Sequence, residues 1–382
     1  MIFLLFIYLS RRMKKIHYPN LNFVRSLAAL IVVFHHTEQL KSLHGLPNHW
    51  GYPPVVLVGK LSVDLFFSLS GFLITSLILA EKESFKRVDI KKFLMRRVLK
   101  IWPLYYLIFV IAILINFYIP ALRLNSTFIS PQGSFIENIF LYIAFLPHVQ
   151  IYFIGPILYC AQAWSIGIEE YFYLFWPFVV NRLKFKGLMI FIIGFVIVYL
   201  IAVAGVKHLY ITKYHTNVFW SELNDFMRDG LKFDCLLIGG FFAILNIKFD
   251  LKKYLTNKFF QAFLYVLEIF LVFYDVVPKM VMWEVHAGIY GLIIYNLVHP
   301  DTSIINMEYP IFNFLGKISY GIYMYHIVVV NVLIVLLNHF HAMYLLYPLV
   351  YIGVICLAWI SFNYYEKYFL NLKTAYQKFA TG

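Results

Sequence analysis

Ten predominantly apolar stretches, near 21–40, 56–80, 100–119, 163–181, 187–205, 231–247, 259–276, 280–298, 311–336 and 343–365, leave this 382-residue chain few ways to fold. A helix of about twenty such residues, rising about 1.5 Å each, matches the hydrocarbon core of a bilayer. No water is available there to satisfy backbone N–H and C=O groups. Each stretch must therefore close its hydrogen bonds internally as an α-helix, and the lack of alternating segments of roughly ten residues argues against a barrel. The expected fold is all-α, a polytopic transmembrane helical bundle of about ten helices. A hydrophobic fraction of 62%, only 13% charged residues and a mean hydropathy of +0.75 exclude an ordinary soluble domain.

The net charge of +13 could point to nucleic acid, but the basic residues gather at the ends of apolar stretches and no soluble basic domain exists to carry them. They read as topology signals, and no nucleic-acid partner is expected. With both termini cytoplasmic, 22 of the 32 Lys and Arg fall on the cytoplasmic side, including Arg11, Arg12, Lys14, Lys15 and a dense run from Lys82 to Lys100. The expected organisation is a cytoplasmic N-terminal segment over 1–20, with Met13 as an alternative start, a membrane domain over 21–366 and a cytoplasmic tail over 367–382. Residues 135–155 are apolar, yet a further crossing there would invert every later loop. They are expected to form a re-entrant or surface segment on the outer side. Cys160, Cys235 and Cys356 stand in no metal-ligand or CxxC spacing and are expected as buried apolar thiols, with no metal site. Trp102 and Trp176 are expected to anchor at the membrane interface.

Polar islands interrupt the apolar stretches. In "FVRSLAALIVVFHH", Arg25 and His36 are eleven residues apart, which in a helix is roughly 16 Å of rise and a return to within about 20° of the starting direction. They share one face, and His35 is turned about 100° away. The second stretch, "SVDLFFSLSGFLIT", carries Asp64, Ser68 and Ser70; the fourth opens "WSIGIEEYFY" with Glu169 and Glu170; the ninth, "LGKISYGIYMYH", holds Lys317, Ser319 and His326. Any one island is explained by an interhelical hydrogen bond, and structural roles lead for Lys317, Ser319 and His326. Four islands together argue for a polar cavity inside the bundle, because an intramembrane ionisable group is costly to keep.

These motifs, together with "FLMRRVLKIWPLYY", resemble in their order the acyltransferase 3 family of integral membrane enzymes that acylate carbohydrates and related acceptors. The resemblance runs from about Asn20 to about Tyr365 and implies ten spans. It places the family's first-helix arginine and histidine on Arg25 and His36, and its basic R-x-x-R element on Arg97 and Lys100. Two departures stand out: Asn22 and Phe23 occupy the place of a common Asp-Gly, and Lys100 keeps the charge of the second arginine without its planar fork. A donor of the family's type is cytoplasmic acyl-coenzyme A, with acetyl the default, used as a co-substrate; no bound cofactor is implied. Its phosphates would meet Arg96, Arg97 and Lys100 while its thioester arm runs along the Arg25 face towards His36. That histidine would be the general base for a saccharide hydroxyl arriving from the outer side. Glu169 would orient His36 or touch the acceptor, Asp64 would pair with Arg25 or line the cavity, and Ser70 would sit beside the donor.

Direct transfer is the expected route, with a serine acyl-enzyme on Ser68 or Ser70 as the alternative, since no G-x-S-x-G elbow is present. The expected setting is a bacterial inner membrane. The expected acceptor is a glycan of the lipopolysaccharide, capsule or exopolysaccharide class. A transporter or flippase of a lipid-linked glycan is the reading from another class; it would use the same polar stripe without consuming an acyl donor.

Overall fold

The computed structural model describes residues 17–122 and 135–376, so Met13 and the basic residues beside it lie outside the described residues. Among the described residues the regular structure is entirely helical. The main helices are α1 (Leu21–Leu43), α2 (Pro53–Phe85), α3 (Ile90–Tyr118), α4 (Phe135–Ile143), α5 (Pro147–Phe153), α6 (Trp164–Arg182) and α7 (Phe185–Thr212). They continue as α8 (Val218–Asp225), α9 (Phe233–Lys248), α10 (Lys258–Tyr274), α11 (Met282–Leu297), α12 (Pro310–His339), α13 (Leu346–Ser361) and α14 (Lys367–Lys373). Each of the ten expected stretches is a helix. Among the described residues, six helical segments are long and apolar enough to cross a membrane: Pro53–Phe85, Ile90–Tyr118, Phe185–Thr212, Val218–Lys248, Pro310–His339 and Met343–Tyr376. Of the other four, α10 and α11 have only 17 and 16 residues, and α1 and α6 carry the ionisable groups of the polar islands.

The segment 135–155 holds no helix long enough to cross a bilayer. It forms α4 and α5, of nine and seven residues, broken at Phe145, where φ is 58°. Tyrosines of neighbouring helices hold the break: Tyr105 donates to the carbonyl of Tyr142 at 2.9 Å and Tyr171 to that of Ala144 at 3.0 Å.

Two close helix crossings set the frame of the interior. On α2 and α9, a Cβ at Gly71 would lie 1.8 Å from the Leu236 carbonyl oxygen, and one at Gly239 would lie 2.0 Å from that of Ser68. These helices meet backbone to backbone, the arrangement that small residues permit where lipid supplies no hydrophobic drive between helices. On α1 and α12, a Cβ at Gly316 would come within 2.4 Å of the Asn22 carbonyl oxygen. The periphery is apolar: Ile190, Val198 and Ile201 of α7 and Phe259, Val266 and Phe273 of α10 are all exposed, a surface suited to lipid rather than water.

Two expectations fail here. Cys160 and Cys235 are buried, but Cys356 is exposed, because it lies on the outward side of α13. Trp176 is fully buried and donates to Thr75 Oγ1 at 2.8 Å, while Trp102 donates to Glu170 Oε2 at 3.0 Å. Both indoles satisfy polar groups between helices, and the fully buried Trp176 is therefore not an interfacial anchor.

Candidate active site

A cavity of about 460 Å³ opens at the end of the bundle where α1 and α12 begin and α2 finishes. Along α2 its lining runs from Leu77 to Val63, a depth of about 21 Å at the helical rise. Five cationic side chains line it, Arg25, Arg97, Lys100, Lys317 and Lys373, against one carboxylate, Glu169. None of the five is paired with a carboxylate among the described residues. Arg97 lies with its guanidinium carbon 5.5 Å from the ring centres of both Phe93 and Tyr173, and its buried Nε has no hydrogen-bond partner.

The local sequence explains this placement. Positions 97 and 100, three apart, share a helix face, whereas Arg96 is turned about 100° from Arg97. Arg97 and Lys100 therefore enter the cavity. Arg96 does not: it donates to Glu81 Oε2 at 3.2 Å and to the Tyr376 carbonyl at 2.7 Å, so the expected phosphate contact is instead an internal clamp. Asp89 caps the start of α3, accepting from Lys92 N at 3.1 Å. Near Pro103, which breaks the helical hydrogen-bond ladder, Tyr320 donates to the Ile101 carbonyl and Tyr365 to that of Pro103, at 2.9 and 3.0 Å.

Deeper in the cavity the lining changes from cations to hydroxyls. Glu169 accepts from Ser70 Oγ at 2.8 Å and from the Tyr173 hydroxyl at 2.5 Å. It is bonded to these two groups and not to His36. Ser165 Oγ lies 2.8 Å from the Tyr323 hydroxyl, which also donates to the Gln162 carbonyl at 2.9 Å.

His36 lies beyond this end, outside the cavity lining. Its Nδ1 is 2.7 Å from Gln39 Oε1, and its ring centre is 4.9 Å from that of His326. His326 Nδ1 meets the Tyr323 carbonyl at 2.5 Å, and the Tyr323 ring is 5.7 Å from the His326 ring. Tyr323 thus belongs both to the cavity wall and to the surroundings of the histidine pair. His35 faces α2 as its rotation requires, with Nδ1 3.0 Å from the Val55 carbonyl and its ring fitted against Gly59. Asp64 neither pairs with Arg25 nor lines the cavity. It accepts from Lys232 Nζ at 2.8 Å, both groups are buried, and the ammonium lies 3.4 Å from the Trp283 ring centre.

The structure also adds residues that sequence reasoning passed over. Lys317 and Ser319, expected in structural roles, line the cavity, as do Tyr173 and Tyr323. Tyr173 was findable, being four residues from Glu169 and so on the same helix face. Lys373 carried no signal, since it follows the membrane domain in a segment read as a tail.

A helical membrane bundle with a cation-lined cavity at one end is the class that the fold and the site define. A family model described as an acyltransferase domain matches residues 18–362, and the chain belongs to that acyltransferase 3 family. It is 28% identical over 342 residues to a Staphylococcus aureus (strain COL) protein named "Putative O-acetyltransferase", covering 83% of this chain and 52% of that one. It is 24% identical over 331 residues to the O-acetyltransferase OatA of Staphylococcus aureus (strain NCTC 8325), covering 81% and 50%. The chain spans about half the length of these curated relatives. No solved structure matches it significantly.

Proposed function

We propose that this protein is a membrane O-acetyltransferase that moves an acetyl group from cytoplasmic acetyl-coenzyme A to a hydroxyl of a cell-surface or exported saccharide, acting in a bacterial inner membrane. The observation that carries this reading is the surplus of unpaired cations at the cavity mouth above a hydroxyl-lined inner end. Such a gradient suits a ligand whose one end is a polyphosphate and whose other end is an uncharged, reactive thioester. Arg97 and Lys100 would hold phosphate, Arg25 would guide the arm, and Ser70, Glu169 and Tyr173 would border its inner part.

His36 serves as general base in this reading. Gln39 Oε1 is an acceptor, so Nδ1 carries the imidazole proton and Nε2 is left with its lone pair. The saccharide oxygen attacks the thioester carbon as Nε2 takes the hydroxyl proton. The C–S bond then breaks and the thiolate leaves as coenzyme A, recovering that proton from His36. Tyr323 lines the cavity and its ring centre is 5.7 Å from that of His326, so in this reading the thioester passes this side chain to reach His36.

The test is coenzyme A release by purified protein given acetyl-coenzyme A and a panel of cell-surface saccharides, with His36→Ala and Arg97→Ala alongside. Release that needs an acceptor and is lost in folded His36→Ala supports the reading. Saccharide movement across a vesicle membrane without donor consumption would replace it with a transporter.

A further inference from the structure

The cation at the cavity mouth that sequence reasoning had no means of finding lies outside the region matched by the family. That region ends at residue 362, whereas Lys373 and Leu370 of α14 both line the cavity. They are held there by bonds at both ends of the segment. At its start, Glu366 accepts from Ser361 Oγ at 3.0 Å, Ser361 in turn accepts from the Tyr325 hydroxyl at 3.0 Å, and Tyr365 is tied to the Pro103 carbonyl. At its far end, Arg96 grips the Tyr376 carbonyl with Nη1 and Glu81 with Nη2. Glu81 is itself 2% exposed, so the clamp is rooted in the bundle interior. Lys373 lies between these anchor points, on a helix packed against α3, beside Arg25, Arg97 and Lys100 and with no carboxylate partner among the described residues.

We infer that residues 367–376 are a working part of the donor site: the Arg96 clamp fixes the segment across the cavity mouth, and Lys373 binds a phosphate of the acyl donor. The inference rests on the acyl-coenzyme A reading above and adds to it the end of the donor that this lysine reads. With the thioester at the inner end, the mouth receives the opposite end of coenzyme A, the adenosine with its 3′-phosphate. A flexible ammonium suits that terminal phosphomonoester, for which a point charge is sufficient. Arg97, half-buried between the Phe93 and Tyr173 rings, is left for the inner diphosphate.

The experiment measures binding of coenzyme A and of dephospho-coenzyme A, which lacks the 3′-phosphate, to the full chain in lipid nanodiscs, using wild type, Lys373→Ala and Arg96→Ala. Wild type should prefer coenzyme A by about tenfold, the worth of one charge-assisted contact. Lys373→Ala should lose that preference while binding dephospho-coenzyme A as wild type does and melting at the same temperature. Arg96→Ala, with Lys373 intact but its segment released, should also lose the preference. A Lys373→Ala protein that still discriminates, or that binds both ligands more weakly by the same factor, overturns the assignment. Wild type that binds neither ligand defeats the donor reading itself, and the inference with it, whereas an unchanged preference in Lys373→Ala defeats the inference alone.

Discussion

The buried Asp64–Lys232 pair tests how this interior is held together, and the two halves of the pair should not cost the same. Removing one partner of a buried ion pair strands the other charge, which typically costs about 3–5 kcal/mol. Lys232 has a second source of stabilisation in the Trp283 face 3.4 Å away, and a desolvated cation–π contact contributes about 2 kcal/mol. Asp64 has no such reserve, because its Oδ2 is already buried without a partner. Asp64→Leu leaves Lys232 on the indole and should cost about 1–3 kcal/mol, while Lys232→Leu strands the carboxylate and removes the cation–π contact, costing about 3–5 kcal/mol or more. The double variant replaces the pair with apolar side chains and should be no worse than the milder single one. The coupling between the two sites is then at least the Lys232→Leu loss itself, about 3 kcal/mol. Reversible unfolding in mixed detergent micelles measures all four corners of this cycle. Additive effects, or an Asp64→Leu loss that exceeds the Lys232→Leu loss, would refute the argument that Trp283 supports the cation.

Gly71→Leu should prevent the α2–α9 contact, because its Cβ alone would sit 1.8 Å from a carbonyl oxygen; loss of folded protein by size-exclusion chromatography in detergent is the expected result. Trp176→Phe removes the bond to Thr75 and should lower stability by about 1 kcal/mol with little change in donor affinity, read from a thermal melt and a binding isotherm. Arg97→Ala should raise KM for acetyl-coenzyme A about tenfold or more, since its guanidinium lines the cavity without a carboxylate partner and carries an unused donor; steady-state kinetics would show an unchanged KM if it binds no phosphate. Tyr323→Ala should join the cavity to the space beside His326 and His36 and let water reach the thioester. Coenzyme A release without an acceptor should then rise above that of wild type.

The ten apolar stretches each became a helix because in lipid the backbone has no alternative partner, so periodicity and length suffice to locate them. The same local geometry carried parts of the site. Arg25 enters the cavity, His36 lies outside its lining against His326, His35 turns aside to α2, and the three-residue spacing sends Arg97 and Lys100 together into the cavity while Arg96 points away. Partners between helices were another matter. Asp64 found Lys232 instead of Arg25, Glu169 found Ser70 and Tyr173 instead of His36, and Trp176 turned inward to Thr75. Sequence by itself determined that the chain is a helical membrane bundle, which faces of its helices are polar, and which family it belongs to by ordered motifs. Only the tertiary structure decided which polar faces meet, that Tyr323 belongs both to the cavity wall and to the surroundings of His326, and that Lys373 returns from the tail to the cavity mouth. The physical reason is one of range. A helix fixes the directions of its own side chains within a few residues, whereas pairing across helices depends on crossings such as those at Gly71 and Gly316, set by close packing between positions far apart in the chain.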